Sequence, residues 1–284
     1  MLPAYAARTS AIHPTPVAGA ALTIPLGSTL RFNVLGCSGS QTPEGGTCSF
    51  LIDDDILLEM GSAAGGLPLE KQRAVRHVLL SHAHLDHVKD LPFVIENVYA
   101  PGRPPIHVYA TANTLGALRE HIFNDAVWPD FTVLPSPEDG VLEYHAVMMR
   151  QSFRVGKMSA TAIPVNHPGG CCGLLLDSGA GVLVYSGDTG PTGELWDAVN
   201  ECEQPVKAIL VETSFPNRMH SLADVSGHLT PRRLQEELSK LKMRDVPVYV
   251  YHLKEPTRAE TEQELMALGD ARIQLLKPGM ELTF

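Results

Sequence analysis

The stretch "LLSHAHLDHVKDLPF", residues 79–93, places His82, His84, Asp86 and His87 within six positions. The chain has 12 histidines in 284 residues, so a quarter of them sit in one turn. The apolar run "VRHVLLSH" leads into that turn. "VKDLPFVIENVYA" follows it with helical spacing and a proline near the first turn. His82 and His84 are two apart on a chain leaving a strand, and in extended backbone residues i and i+2 point to the same side. Two imidazoles can then converge on one ion. Asp86 and His87 come one tight turn later, at a helix start, and can face a second ion. Neutral imidazole with carboxylate is a ligand set for zinc, iron or manganese.

Further donors stand where apolar runs meet polar loops. His167 lies in "IPVNHPGG", Asp188 in "VLVYSGDTG" and His252 in "VYVYHLKEP". Ligands at the carboxyl ends of separate strands are how α/β scaffolds build sites. The chain supplies such strands in both halves, from "LRFNVLG" to "MELTF", alternating with helical stretches such as "ANTLGALREHIFN" and "TPRRLQEELSKLK". In the latter, Thr230 reads as an N-cap and Pro231 as the first helical residue. "FPNRMHSLADVSGHL" reads as polar and turn-like. The pattern predicts a layered α/β sandwich, two mixed sheets inside and helices outside. Residues 30–284 read as one domain and residues 1–29, rich in Ala, Pro and Thr, as an N-terminal arm or leader remnant.

Composition narrows the function classes. A net charge of −10 gives no general help in binding polyanions, so a nucleic-acid partner is not expected. No apolar run is long enough to span a bilayer, so no membrane association is expected. The five cysteines, Cys37, Cys48, Cys171, Cys172 and Cys202, are odd in number and contain no CxxC pair. They read as small buried hydrophobes rather than a disulfide framework. The expected location is the cytoplasm, with the periplasm as the alternative should the first residues be an export leader. "LGCSGSQTPEGG" lacks the GK[ST] of a phosphate loop and reads as a turn near the site. Arg232 and Arg233 read as a solvated helix face. His13, His77, His107, His121 and His145 have no supporting neighbours in sequence and read as surface or core residues.

"SHAHLDH", then "NH", "SGDT" and "YHL", in that order, resembles the motif set of the metallo-β-lactamase superfamily. The resemblance covers the chain from about Leu30 to its end. It implies a four-layer αββα sandwich in which His82, His84 and His167 hold one metal, Asp86, His87 and His252 hold a second, and Asp188 bridges them. The implied cofactors are two divalent ions, zinc first, with iron or manganese as alternatives. Such a pair supports metal-assisted hydrolysis.

"HLDH" with "VKDLPFVIENV", and "ETSFPN" with "SGHLTP", are similar to the class II cyclic-nucleotide phosphodiesterases. The chain departs from that family at Lys89-Asp90, where a small residue is more usual. The resemblance implies hydrolysis of the 3′,5′-cyclic nucleotides cAMP or cGMP to 5′-monophosphates, a small-molecule partner and a homodimer. His228 precedes a helix and can protonate a leaving 3′ alkoxide; Asp86 and Asp188 complete the expected catalytic set. Glu212 can orient His228 in the manner of the related endonucleases. The helix start at Thr230 offers free N–H groups to phosphate, and Asn217 and His220 are expected to touch substrate. The rivals are a tRNA 3′-processing endonuclease, which needs a basic arm that the sequence lacks, and an arylsulfatase-like hydrolase. A non-catalytic scaffold would have shed ligands, whereas all seven positions are filled.

Overall fold

Val248-Tyr249-Val250-Tyr251 is buried at every position, and its alternation shows how the layers stack. Val248 and Val250 pack against helices, whereas Tyr249 and Tyr251 point between two sheets. The computed structural model describes residues 29–43 and 45–284, so the expected N-terminal arm lies, except for Thr29, outside the described residues.

Strands β1 (Arg31–Gly36), β2 (Ser49–Ile52), β3 (Ile56–Leu58), β4 (His77–Leu79), β5 (Ile106–Thr111) and β6 (Leu142–Val147) follow in sequence across the first sheet. Strands β7 (Ser152–Val155), β8 (Met158–Pro164), β9 (Cys172–Asp177), β10 (Val182–Tyr185), β11 (Val206–Glu212), β12 (Val248–Tyr251) and β13 (Ile273–Leu275) form the second. The last strand, β14 (Glu281–Thr283), returns to pair with β1. Each sheet is antiparallel at one side and parallel at the other: β3 to β6 run parallel, as do β10 to β13. The tight turn at Asp53-Asp54-Asp55, with Asp53 at φ 50°, sets β2 against β3 as an antiparallel hairpin.

Parallel strands buried on both faces need apolar residues at nearly every position. β10 meets this with Val182 and Val184 outward and Leu183 and Tyr185 inward. Phe32 and Phe50 of the first sheet meet Tyr185 and Tyr251 of the second in an aromatic seam, with Phe50 5.9 Å from each tyrosine ring. Helices 63–66, 91–98 and 112–121 cover the outer face of the first sheet, and helices 194–200, 231–238 and 258–267 that of the second. This is the expected αββα sandwich.

Two local expectations differ. "SFRV" forms β7, an edge strand the sequence reading passed over. "FPNRMHSLADVSGHL" is not wholly turn: it holds a 3₁₀ turn, Asn217–Met219, and a helix, His220–Ser226. Within that helix only Ala223 is buried, so there is no apolar stripe to reveal it. Among the described residues, no helix is long and apolar enough to cross a membrane.

Candidate metal centre

The parallel strands of both sheets end at one place. His82 and His84 follow β4, Asp188 follows β10, Glu212 ends β11 and His252 follows β12, while His167 comes from the loop after β8. The short helix Leu85–Val88 carries Asp86 and His87. The side chains meet at Asp188. Its Oδ2 lies 3.3 Å from Nε2 of His87 and of His252, 3.7 Å from Nε2 of His82 and 4.0 Å from Nε2 of His167.

Most of these rings have one nitrogen held by the protein and the other turned to the cluster. His167 Nδ1 donates to the carbonyl of Gly227 at 2.8 Å. Gly227 caps the helix 220–226 at φ 68°, and a Cβ there would stand 2.9 Å from Asn166 O and 3.0 Å from His167 Cα. Only glycine suits that close approach. His82 Nδ1 sits 2.9 Å from Ser81 Oγ. Ser214 Oγ donates to Glu212 Oε2 at 3.0 Å, so His252 Nδ1, 2.8 Å from the same hydroxyl, is the donor in that pair. The lone pair of His252 is thereby left on Nε2, facing Asp188. Anchoring of this kind fixes ring orientation and tautomer in metal sites.

The donor set fits a divalent cation. Among the described residues, His82 Nε2, His87 Nδ1, Glu59 Oε2 and Asp188 Oδ1 are buried with no hydrogen-bond partner. His84 Nδ1 and His167 Nε2 face each other at 3.2 Å, as do His87 Nε2 and His252 Nε2 at 3.4 Å. Buried orphans and crowded lone pairs are costly unless a positive charge lies among them. His82, His84, His167 and Asp188 form one donor group, all within reach of one ion. His87 and His252 form a second with the thiol of Cys48, and Asp188, His228 and His252 a third. Asp86 meets these through His252 Nε2, 3.3 Å from its Oδ2, an oxygen that also lies 3.7 Å from Lys254 Nζ. Burial pushes the Cys48 thiol well above its ordinary pKa, which keeps it a neutral thiol.

The electrostatics favour neutral rings around an ionised carboxylate. Burial, then His87, holds His82 far below the usual imidazole range. Burial likewise lowers His84, His167 and His252. Burial opposes the charge on Asp188, but His252 and His87 keep its carboxyl far below the ordinary value. His87 goes the other way: burial works against its charge, yet Asp188 and Glu59 raise it strongly.

His228 stands at the edge of the cluster, its ring stacked on His252 at 5.3 Å and 4.9 Å from the His167 ring. Its Nδ1 is 2.8 Å from Glu212 Oε1, the orienting contact the sequence reading had raised. Asn217, His220 and Thr230 line a single cavity of about 240 Å³ with Arg232, Arg233 and Glu236. Thr230 is buried and its hydroxyl accepts from Arg233 N at 3.4 Å, so its side chain serves as the N-cap. The glycine-rich turn does reach the site, since His252 N donates to Cys37 O at 2.7 Å. Asp90, in the Lys89-Asp90 departure, accepts from Ala64 N at 2.8 Å and ties two helices.

Sequence reading missed Glu59, Ser214 and Lys254. Glu59 is fully buried at φ 62°; its Oε1 accepts from Ser81 N at 3.1 Å and its Oε2 lies 3.5 Å from His87 Nδ1. A carboxylate closing the apolar run "ILLEMG" was its one signal. His252, at φ 70°, shares the left-handed backbone.

Residues 59–252 match the family model described as a beta-lactamase superfamily domain. The chain belongs to the metallo-β-lactamase superfamily. Within the superfamily it is similar to a probable 3′,5′-cyclic-nucleotide phosphodiesterase of Yersinia pestis, 29% identical over an alignment 281 positions long that covers 80% of this chain and 79% of that one. It is 25% identical, over an alignment 303 positions long, to a 3′,5′-cyclic-nucleotide phosphodiesterase of Aliivibrio fischeri, covering 86% and 89% of the two chains. The superfamily fold is shared with the crystal structure of unliganded yeast PDE1 at a TM-score of 0.77 and 18% identity, over 90% of this chain and 99% of that one. Divalent-metal binding goes with this hydrolase fold, and the chain carries the His/Asp clusters for it.

Proposed function

We propose that this protein is a dinuclear, metal-dependent phosphodiesterase that opens 3′,5′-cyclic nucleotides, cAMP or cGMP, to 5′-monophosphates. The observation that carries the reading is the His228–Glu212 pair at the rim of the donor cluster. Metal sites need ligands, but His228 is an extra imidazole whose Nδ1 is committed to a carboxylate, leaving Nε2 to work. Support comes also from the printed names of the relatives in Yersinia pestis and Aliivibrio fischeri.

His82, His84 and His167 would hold one ion and His87, His252 and Asp86 the other, with Asp188 between. Zinc suits these donors first, and iron or manganese would also be accepted. Divalent ions held there supply Lewis acidity and bring the pKa of water towards neutrality. The chain's own residues do the rest. The phosphorus gains an oxygen from water and loses its bond to the ribose O3′. That O3′ leaves as a strongly basic alkoxide and needs a proton. Burial opposes a charge on His228, but Glu212 raises its pKa and so favours the protonated ring, whose Nε2 faces away from that carboxylate and can give the proton. The cavity lined by Asn217, His220 and Arg232 begins two residues beyond His228 and takes the nucleoside. Arg232 in its lining offsets the chain's overall acidity where an anion must enter, while Arg233 is paired with Asp224 and Glu236.

The test is turnover of metal-loaded protein on cAMP, cGMP, bis(p-nitrophenyl) phosphate and p-nitrophenyl sulfate. The expected products are the 5′-monophosphates. Intact cyclic nucleotides alongside rapid sulfate-ester cleavage would overturn the reading.

A further inference from the structure

We propose a second, separate divalent-metal site at the opposite end of the first sheet, built by His107, Glu143 and His145. The three residues look unrelated in sequence. Parallel pairing of β5 with β6 sets His107 directly beside Glu143, and His145 one step further beside Tyr109. All three side chains share one face, the one on which Tyr109 stacks with Phe153 of β7. The metal centre described above follows the carboxyl end of β4, whereas this group lies at the amino ends of β5 and β6.

The donor spacing is the argument. His107 Nδ1 is 3.0 Å from His145 Nε2, Glu143 Oε2 is 3.4 Å from His107 Nδ1, and Glu143 Oε1 is 3.4 Å from His145 Nε2. Ligands at about 2.0–2.1 Å from a tetrahedral zinc stand about 3.3 Å apart. The two imidazole nitrogens, with the Glu143 carboxylate turning one oxygen to each ring, already stand near that spacing, and so do the facing donors of the principal centre at 3.2–3.4 Å. Side chains on adjacent strands hold their geometry better than side chains on loops. His77 flanks the group, its ring stacked on His107 at 5.5 Å and its Nδ1 3.4 Å from Tyr109 Oη. Neither His107 nor His145 is sealed off, and Glu143 is half exposed, so an ion can enter and keep a water as fourth ligand. Two imidazoles and one carboxylate suit zinc, with copper and nickel as stronger-binding probes.

The consequence is mechanical. Among the described residues, β6 is the outermost strand of the first sheet and pairs only with β5. An ion shared by His107, Glu143 and His145 fastens that edge strand to its neighbour.

The test uses full-length protein, stripped by chelator and titrated with zinc, with bound ions counted and melting temperature recorded. Wild type is expected to bind one ion more than His145→Ala. Glu143→Gln should weaken that ion at least about tenfold, with turnover on bis(p-nitrophenyl) phosphate unchanged. Asp188→Ala should keep this ion and its zinc-dependent rise in melting temperature. The difference between wild type and variants does not depend on how many ions the principal centre holds, so the two readings fail separately. Equal zinc affinity and stoichiometry in wild type, His145→Ala and Glu143→Gln would overturn the proposal. Should His145→Ala fail to fold, the half-exposed Glu143→Gln decides alone.

Discussion

Glu212 Oε1 stands 2.8 Å from His228 Nδ1 and also accepts the backbone N–H of Thr189 at 3.1 Å. Thr189 is the residue after Asp188, so one carboxylate oxygen ties the extra histidine to the loop that carries the central aspartate. Position and protonation of His228 are thus set by the same contact.

A ribose alkoxide needs the His228 proton and a p-nitrophenolate barely does. His228→Ala should therefore cut cAMP turnover by about 10²–10⁴-fold, with metal content unchanged and a much smaller loss on bis(p-nitrophenyl) phosphate. Equal losses on both substrates would assign His228 to phosphate placement instead.

Asp188 Oδ2 is within 4.0 Å of four imidazole nitrogens. Asp188→Ala should lose at least one ion and more than about 100-fold in turnover, beyond the effect usual for an outer-sphere partner. Full metal content with normal turnover would remove the bridging assignment.

Glu59 is a positioning residue for His87. A glutamine can keep the bond from Ser81 N with its one carbonyl, but then turns an N–H₂ in place of the charged oxygen that faces His87 Nδ1 at 3.5 Å. Glu59→Gln should weaken metal binding by about 10–100-fold while the isolated fold persists by circular dichroism. Unchanged zinc affinity would show that His87 is held by packing alone.

Acid should destabilise the metal-free protein. Burial holds His77, His82, His84, His145, His167 and His252 below the ordinary imidazole value. Folded, these rings refuse protons that the unfolded chain accepts below about pH 6.5, so stability falls with pH in that window. His87 and His228 are raised and act oppositely: their contribution is complete below about pH 6.5 and fades as pH climbs through their folded values. The first group outnumbers the second. The melting temperature of chelator-treated protein should drop between about pH 7 and 5.5; a rise on acidification would contradict this balance.

The layers and the gathering of the His/Asp donors at one place were legible because both are written locally. Apolar runs such as "VYVY" reveal doubly buried strands, and the donors at strand ends stand next to them in sequence. What was not legible depends on register across the chain. Glu59 meets Ser81 and His87 only because β3 lies beside β4. His107, Glu143 and His145 meet only through the pairing of β5 with β6. The helix His220–Ser226 hides for another reason: it rides above the surface with Leu222 and Val225 exposed, so nothing in its pattern marks a buried face.

Glu59 and His252 are side-chain-bearing residues in the left-handed backbone region, one from each sheet, and each such position costs about 1–3 kcal/mol. Glycine would remove that cost at both, since it tolerates the region freely. It would also remove the carboxylate behind His87 and one of the imidazoles themselves. Glycine would also empty two fully buried positions and leave Ser81 N without its acceptor, so the strained side chains are part of what holds the two sheet ends together. Backbone strain at Glu59 and His252 thus comes with the donor cluster: the same two turns that cost energy aim a carboxylate at His87 and an imidazole at Asp188.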